Sequence, residues 1–251
     1  MKKIYQVDNV PISGEEILVQ ESIFHNANGY IGVRNCLEEG VPEEVRSVRG
    51  SYINGFYDFF AMNQAEKLYG LVEEKQTILN VADTQTIRLY LDGEEFSVFE
   101  GTLEKNRRTL NMEEGWTERT VVWTSPKGKK LEICCRRMTS FVRLPLFLMR
   151  YCVKPLNFSG AVMLESLHSG DVENYYNPED PRVAGERRNY LEPVYRFADA
   201  EMSLLETQTV KSGLRMCTAV HHRVSVPYKM QTEEKGHGVT RKISFDLQQG
   251  Q

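Results

Sequence analysis

From about residue 86 onward, apolar and polar side chains alternate with a period close to two, the signature of β-strands. TIRLYLDGEEFSVF (86–99) predicts two strands joined at Asp92-Gly93, a dipeptide suited to tight hairpin turns. WTERTVVWTSPKGKKLEICCRRM (116–138) predicts a second hairpin, with Trp116, Thr120 and Val122 alternating with polar neighbours and Pro126-Lys127-Gly128 at the turn. LFLMRYCV (146–153) is apolar on both alternating faces and predicts a strand buried between two layers. AVMLESLHS, MSLLETQTV, LRMCTAVHHRV and TRKISFDL continue the series; in the last, Ile243, Phe245 and Leu247 face one way and Lys242, Ser244 and Asp246 the other. Only NQAEKLYG (63–70) invites a helix, and a short one. Many strands at short spacing with glycine and proline turns predict an all-β fold, a large antiparallel β-sandwich with at most short helices.

One polar insertion breaks the rhythm, DVENYYNPEDPRVAGERRNYLEP at 171–193, and loops of that length are usually functional or mobile. Tyr175, Tyr176 and Tyr190 supply flat apolar faces there, and Arg182, Arg187 and Arg188 supply forked donors. Sugars are held by that pairing of ring and guanidinium, so Tyr175, Tyr176, Arg187, Arg188 and Tyr190 are candidate carbohydrate-binding residues. A mobile solvated loop explains the same composition with no ligand at all.

With 251 residues, 41% of them hydrophobic and 10% aromatic, the chain can bury a sizeable core as one domain spanning 1–251. Its net charge of −4, with no basic stripe, argues against nucleic acid. The start MKKIYQVDNVPISG has no apolar run behind its lysines, so it does not resemble a signal peptide, and no segment has the length of a membrane span. Five cysteines, two of them adjacent at Cys134-Cys135, fit reduced thiols and a cytoplasmic protein better than a disulfide or zinc framework.

Candidate chemistry is sparse. The carboxylate pairs Glu38-Glu39, Glu43-Glu44, Glu73-Glu74 and Glu113-Glu114 read as solvated turn charges, because neighbours in a turn do not flank a glycosidic bond. His221 and His222 point to opposite faces of a strand and cannot share one ion; His222, on a face with Leu214, Met216 and Val220, reads as a core histidine. No catalytic residue, metal site or cofactor is expected.

The stretch ESIFHNANGYIGVRNCLEEG (21–40) remains, crowded with glycine and asparagine, the residues that turn a chain sharply. With GSYINGFYD (50–58), RRMTSFVRLPLFLMRYCVKPLNFSG (136–160) and NYLEP (189–193), it resembles the amino-terminal signature of glycoside hydrolase family 65, the family of maltose, trehalose and kojibiose phosphorylases. The resemblance departs at Asn35, where a glycine commonly follows the arginine, and at His25-Asn26-Ala27. It implies a supersandwich similar to the galactose-mutarotase fold, packed in the parent protein on a carboxyl-terminal (α/α)6 catalytic barrel that holds the glutamate acid and the phosphate site. It implies α-glucosyl disaccharide and phosphate as ligands of the full-length enzyme, and a homodimer. The barrel has no counterpart in these residues, so this part is expected to be inactive alone. Asn28, Gly29, Tyr30 and Arg34 become candidate docking residues, with Gly29 and Gly32 allowing tight turns. Two rivals stand beside this reading: a self-sufficient carbohydrate-binding module using the 171–193 loop, and an aldose-mutarotase-type enzyme using His168 or His222.

Overall fold

The computed structural model describes residues 3–61, 70, 74–176 and 190–251. The expected helix at 63–70 lies outside these residues except for Gly70, as do Arg182, Arg187 and Arg188.

The described chain is built of antiparallel strands in four sheets. The first sheet runs in the order β1 (Ile4–Val7), β8 (Thr102–Asn111), β9 (Trp116–Thr124), β10 (Lys130–Thr139) and β11 (Phe147–Pro155). The second runs β16 (Lys229–Lys235), β17 (Gly238–Leu247), β12 (Gly160–Ser169), β6 (Ile87–Leu91) and β7 (Glu94–Glu95). Leu89, Leu91 and Val162 from the second sheet meet Val121, Trp123, Leu131 and Ile133 from the first in one buried cluster. Those two sheets are therefore the two layers of a sandwich.

Two smaller sheets accompany the sandwich. The first smaller sheet is β2 (Asn26–Ala27), β3 (Ile31–Val33), β4 (Ser51–Ala61) and β5 (Glu74–Asn80); the other is β13 (Leu191–Ala198), β14 (Met202–Thr209) and β15 (Arg215–His221). Phe56 and Leu79 of the former pack on Leu191 of the latter and on Tyr190 just before it in a second core cluster. The all-β sandwich expected from the alternating pattern is present, and the predicted hairpins lie where the turn residues put them. Asp92 (φ 48°) and Gly93 (φ 83°) both adopt the left-handed angles that a tight hairpin demands.

Four expectations need correction. The helix found among the described residues, α1 (Gly14–Ile23), was not expected. Its sequence GEEILVQESI carries no apolar stripe, because the inward positions include Gln20 and Glu21 beside Ile17. β11 is an edge strand rather than a strand between layers, with Leu148 44% exposed. Gly32 sits within β3, not in a turn; the left-handed corner of that stretch is Gly29, at φ 86°. Finally, a strand that was not expected, β13, begins inside the long insertion at Leu191 and precedes the expected strand at Met202.

Candidate functional site

The interior of the sandwich changes character along its strands. On β9 the inward face reads Thr117, Arg119, Val121, Trp123, and on β10 it reads Leu131, Ile133, Cys135, Arg137, Thr139. One end is thus apolar, and the other carries two fully buried arginines. Burying such charges is tolerable only when each is paired and hydrogen-bonded. The partners come from the stretch 21–40.

Glu38 is 1% exposed and accepts Arg119 Nη1 at 2.6 Å, with Arg137 Nη2 on its other oxygen. Glu39 takes Arg119 in a fork, at 2.7 Å to each of its oxygens. Gln85 Oε1 accepts Arg137 Nη1 at 2.9 Å, and the Cys36 carbonyl accepts Nη2 at 2.7 Å. Burial by itself would raise the Glu38 carboxyl, but Arg137 and Arg119 hold it far below the ordinary carboxylate range. The same attraction from Glu39 and Glu38 outweighs burial at Arg119 and keeps it charged. Glu38-Glu39 is therefore no solvated turn pair. Both carboxylates are locked by guanidinium groups inside the fold, so neither is open to a glycosidic bond. Glu43, Glu44, Glu113 and Glu114 are exposed, as expected of turn charges.

The asparagines of the same stretch are also structural. Asn26 Oδ1 accepts the Thr117 hydroxyl at 2.8 Å, while Asn35 accepts Arg108 Nη1 through its backbone and side-chain oxygens at 2.8 and 3.0 Å. Arg108 has no carboxylate against it among the described residues, and burial followed by the charge of Arg119 pushes it down to about 10.

Asn28 does something different. Its Oδ1 accepts Tyr30 N and Ile31 N at 3.0 and 2.9 Å, closing the corner at Gly29. Its Nδ2 donates to the carbonyls of Ser140 and Leu144 at 2.7 and 2.9 Å, clamping the loop between β10 and β11. Ser140 N donates to Leu146 O at 2.9 Å and Leu146 N to Arg143 O at 2.8 Å, so the loop is closed on itself as well. What this clamped loop displays is apolar: Phe141 is 68% exposed, Val142 92% and Leu144 41%. Leu146, Leu148 and Tyr30 are exposed as well. The Phe141 ring also reaches the turn at Gly115, near exposed Met112. Side chains so exposed on a rigid support gain nothing for this fold; contiguous patches of that kind mark interaction surfaces.

Of the proposed docking residues, Asn28 and Gly29 build the corner and Tyr30 lies on the surface itself. Arg34 turns away: its Nη2 donates to Ser22 Oγ at 2.9 Å and Leu18 O at 3.3 Å, holding α1, with Glu21 at 3.6 Å. The loop residues Phe141 to Leu144 were missed. Their segment, FVRLP, lies just ahead of the strand expected at 146–153 and carries no alternation that would single it out.

The carbohydrate candidates separate. Tyr175 and Tyr176 are on the surface and line a groove of about 410 Å³ between residues 43–49 and 171–176. Tyr190 is 7% exposed and packs edge-on to Phe60 at 4.2 Å between ring centroids, so it belongs to the core and offers no ring to a sugar. Arg187 and Arg188 lie outside the described residues.

His168 is 2% exposed, with Nδ1 2.9 Å from Ser203 Oγ and Nε2 2.8 Å from Thr218 Oγ1. His222 follows β15, with Nε2 2.9 Å from Ser166 Oγ. Burial pushes both imidazoles down to about 4, Arg241 adding to the effect at each. Both are held neutral among hydroxyls and strands, and among the described residues neither forms an ion pair with an acid. Among the described residues no group of three or more acidic, histidine or cysteine side chains is placed to hold a metal, and no helix is long and apolar enough to cross a membrane.

Comparison with known proteins gives a consistent picture. The sequence profile of "Glycosyl hydrolase family 65, N-terminal domain" matches residues 13–251. An α,α-trehalose phosphorylase of Geobacillus stearothermophilus is 34% identical over 245 residues, which is 97% of this chain and 32% of that protein. A kojibiose phosphorylase of Halothermothrix orenii is 31% identical over 175 residues, covering 68% of this chain and 21% of the relative. A solved structure described as a putative kojibiose phosphorylase from human microbiome superposes with a TM-score of 0.82 at 17% identity, over 98% of this chain and 31% of that one, and shares the fold. The chain thus spans about a third of the length of the trehalose phosphorylases it matches.

Proposed function

We propose, from the premise that this chain belongs to glycosyl hydrolase family 65 and matches its amino-terminal domain, that it is a non-catalytic sandwich whose task is to seat a catalytic domain. The occupant of the clamped apolar face around Val142 would be the (α/α)6 barrel of the same parent protein. The observation that carries this reading is the exposure of Phe141, Val142 and Leu144 on a loop clamped by Asn28, with exposed Tyr30 on the adjoining corner. The relatives supply the rest of the argument, since two-thirds of their length lies beyond the part matched here. The parent enzyme would act on an α-linked glucosyl disaccharide by inverting phosphorolysis. There the barrel's acid protonates the glycosidic oxygen while phosphate attacks from the opposite face. The locked state of Glu38 and Glu39 supports assigning that acid to the barrel.

The test has two arms. The 251-residue chain, incubated with trehalose, kojibiose or maltose and phosphate, should release no glucose 1-phosphate; enzyme-dependent release overturns the non-catalytic assignment. For the docking face, Phe141→Ser with Val142→Asp should lower binding of a hydrophobic dye by the chain and leave its Tm unchanged. In the parent enzyme the same pair should lower Tm and activity. Unchanged Tm and activity there would remove the docking role. A dimer contact through the same domain is the second expectation of this reading, checked by the oligomeric state of the parent enzyme.

A further inference from the structure

The groove between residues 43–49 and 171–176 has no part in docking as described above. Its two walls are pinned to one another by Asn80 and Asn174. Asn80 Nδ2 donates to Arg49 O at 3.2 Å on one wall and to Glu173 O at 3.0 Å on the other, while its backbone N–H donates to Asn174 Oδ1 at 2.8 Å. Asn174 Nδ2 returns a bond to Ile78 O at 2.9 Å. Across the top, Arg46 Nη2 donates to the Tyr175 hydroxyl at 2.8 Å. The site is therefore formed before any ligand arrives, which lowers the ordering cost of binding.

Its volume, about 410 Å³, falls within the range of small-molecule sites. Tyr175 and Tyr176 are each 37% exposed. Glu43 and the Tyr176 hydroxyl carry no hydrogen bond within the described residues. Lining charges are of both signs: Glu43, Glu173 and Asp171 stand against Arg46 and Arg49. Asp171 is itself engaged by His237 at 3.1 Å. Carboxylates and guanidinium groups share the lining, which disfavours a bare anion such as phosphate, and an extended apolar ligand would strand the charges. Hydroxyl groups satisfy both signs at once, donating to carboxylates and accepting from guanidinium, while CH faces lie against the tyrosines.

We infer that this groove is a binding site for a small neutral saccharide, with Tyr176 as an apolar platform, Arg46 as donor and Glu43 as acceptor. The inference is independent of the docking proposal, since it concerns a different surface and asks nothing of a catalytic domain.

Titration of the 251-residue chain with glucose, maltose, trehalose and kojibiose, followed by saturation-transfer NMR and calorimetry, should show saturable binding of at least one, in the millimolar range. Tyr176→Ala should weaken it by about five- to tenfold, and Tyr176→Phe should retain most of it. Arg46→Ala should weaken it comparably, and none of the three should shift Tm. Val142→Asp, on the docking face, should bind as the unaltered chain does. The inference falls if no sugar binds saturably, or if binding survives both Tyr176→Ala and Arg46→Ala undiminished. It also falls if Val142→Asp abolishes binding, which would place the sugar elsewhere.

Discussion

Glu38 is the residue on which the polar end of the interior depends. Removing it leaves Arg119 and Arg137 buried with one carboxylate, Glu39, which already bonds Arg119 in a fork. Leaving a buried charge unpaired costs about 3–5 kcal/mol, so Glu38→Ala should lower stability in urea denaturation by that order. Glu44→Ala, at an exposed turn, should stay within about 0.5 kcal/mol of the unaltered chain. Equal losses from the two would contradict the locked arrangement. The histidines supply a pH dependence with a definite sign. His168 and His222 stay neutral in the folded chain down to about 4, whereas an unfolded histidine takes a proton below about 6.5. Unfolding therefore binds protons in that window: the contribution is intact above about pH 6.5 and is lost as pH falls toward 4. For buried His168 the shift corresponds to roughly 3 kcal/mol, and less for half-buried His222. Denaturation midpoints at pH 7 and 5 check this, and a stability that is flat across the interval would refute it. Neither the locked glutamates nor the neutral histidines were legible residue by residue. A Glu-Glu pair in a turn looks the same in sequence whether it meets water or two arginines about 80 and 100 positions away.

At the scale of elements, the corner at 26–33 and the loop at 140–148 are one unit joined by Asn28. Asn28→Ala deletes two bonds to loop carbonyls and two to the corner's own amides. A loss of about 1–3 kcal/mol is expected, accompanied by faster amide exchange at Leu146, whose N–H closes the loop. Unchanged exchange there would show that the loop is held by its own bonds. Gly29→Val acts otherwise, since nothing lies within 4 Å of a Cβ at that position. Its penalty would come from the left-handed angle alone, about 1–2 kcal/mol. The hairpins were the most readable elements, because Asp92-Gly93 and the Pro-Lys-Gly turn are local signals. Helix α1 was hidden for the opposite reason. Ser13 and Glu16, 2.7 Å apart at its start, are a sequence-level sign of a helix beginning, but the buried Gln20 and Glu21 break the apolar period that normally draws attention to it.

Across the whole molecule, the period-two alternation, the turn residues and the segments 21–40 and 136–160 were enough to establish the antiparallel sandwich and the family. These are properties of short stretches, where backbone sterics and side-chain alternation act over a few residues. Which face turns inward was not among them. β9 alternates equally well in either sense, and pairing with β8 and β10 puts Arg119 and Trp123 inside while Trp116 and Val122 stay half-buried. The apolar run from Leu146 to Val153 likewise suits a central strand or an edge strand; among the described residues β11 pairs only with β10, and that decides it. Tyr175, Tyr176 and Tyr190 were indistinguishable as tyrosines of one long insertion. Tyr190 became core because Phe60, 130 positions earlier, brings its ring to 4.2 Å, while Tyr175 was left at the surface with its hydroxyl on Arg46. Burial, charge pairing and the exposed apolar face all arise from contacts between distant segments, and the local pattern carries no information about which distant segment will arrive.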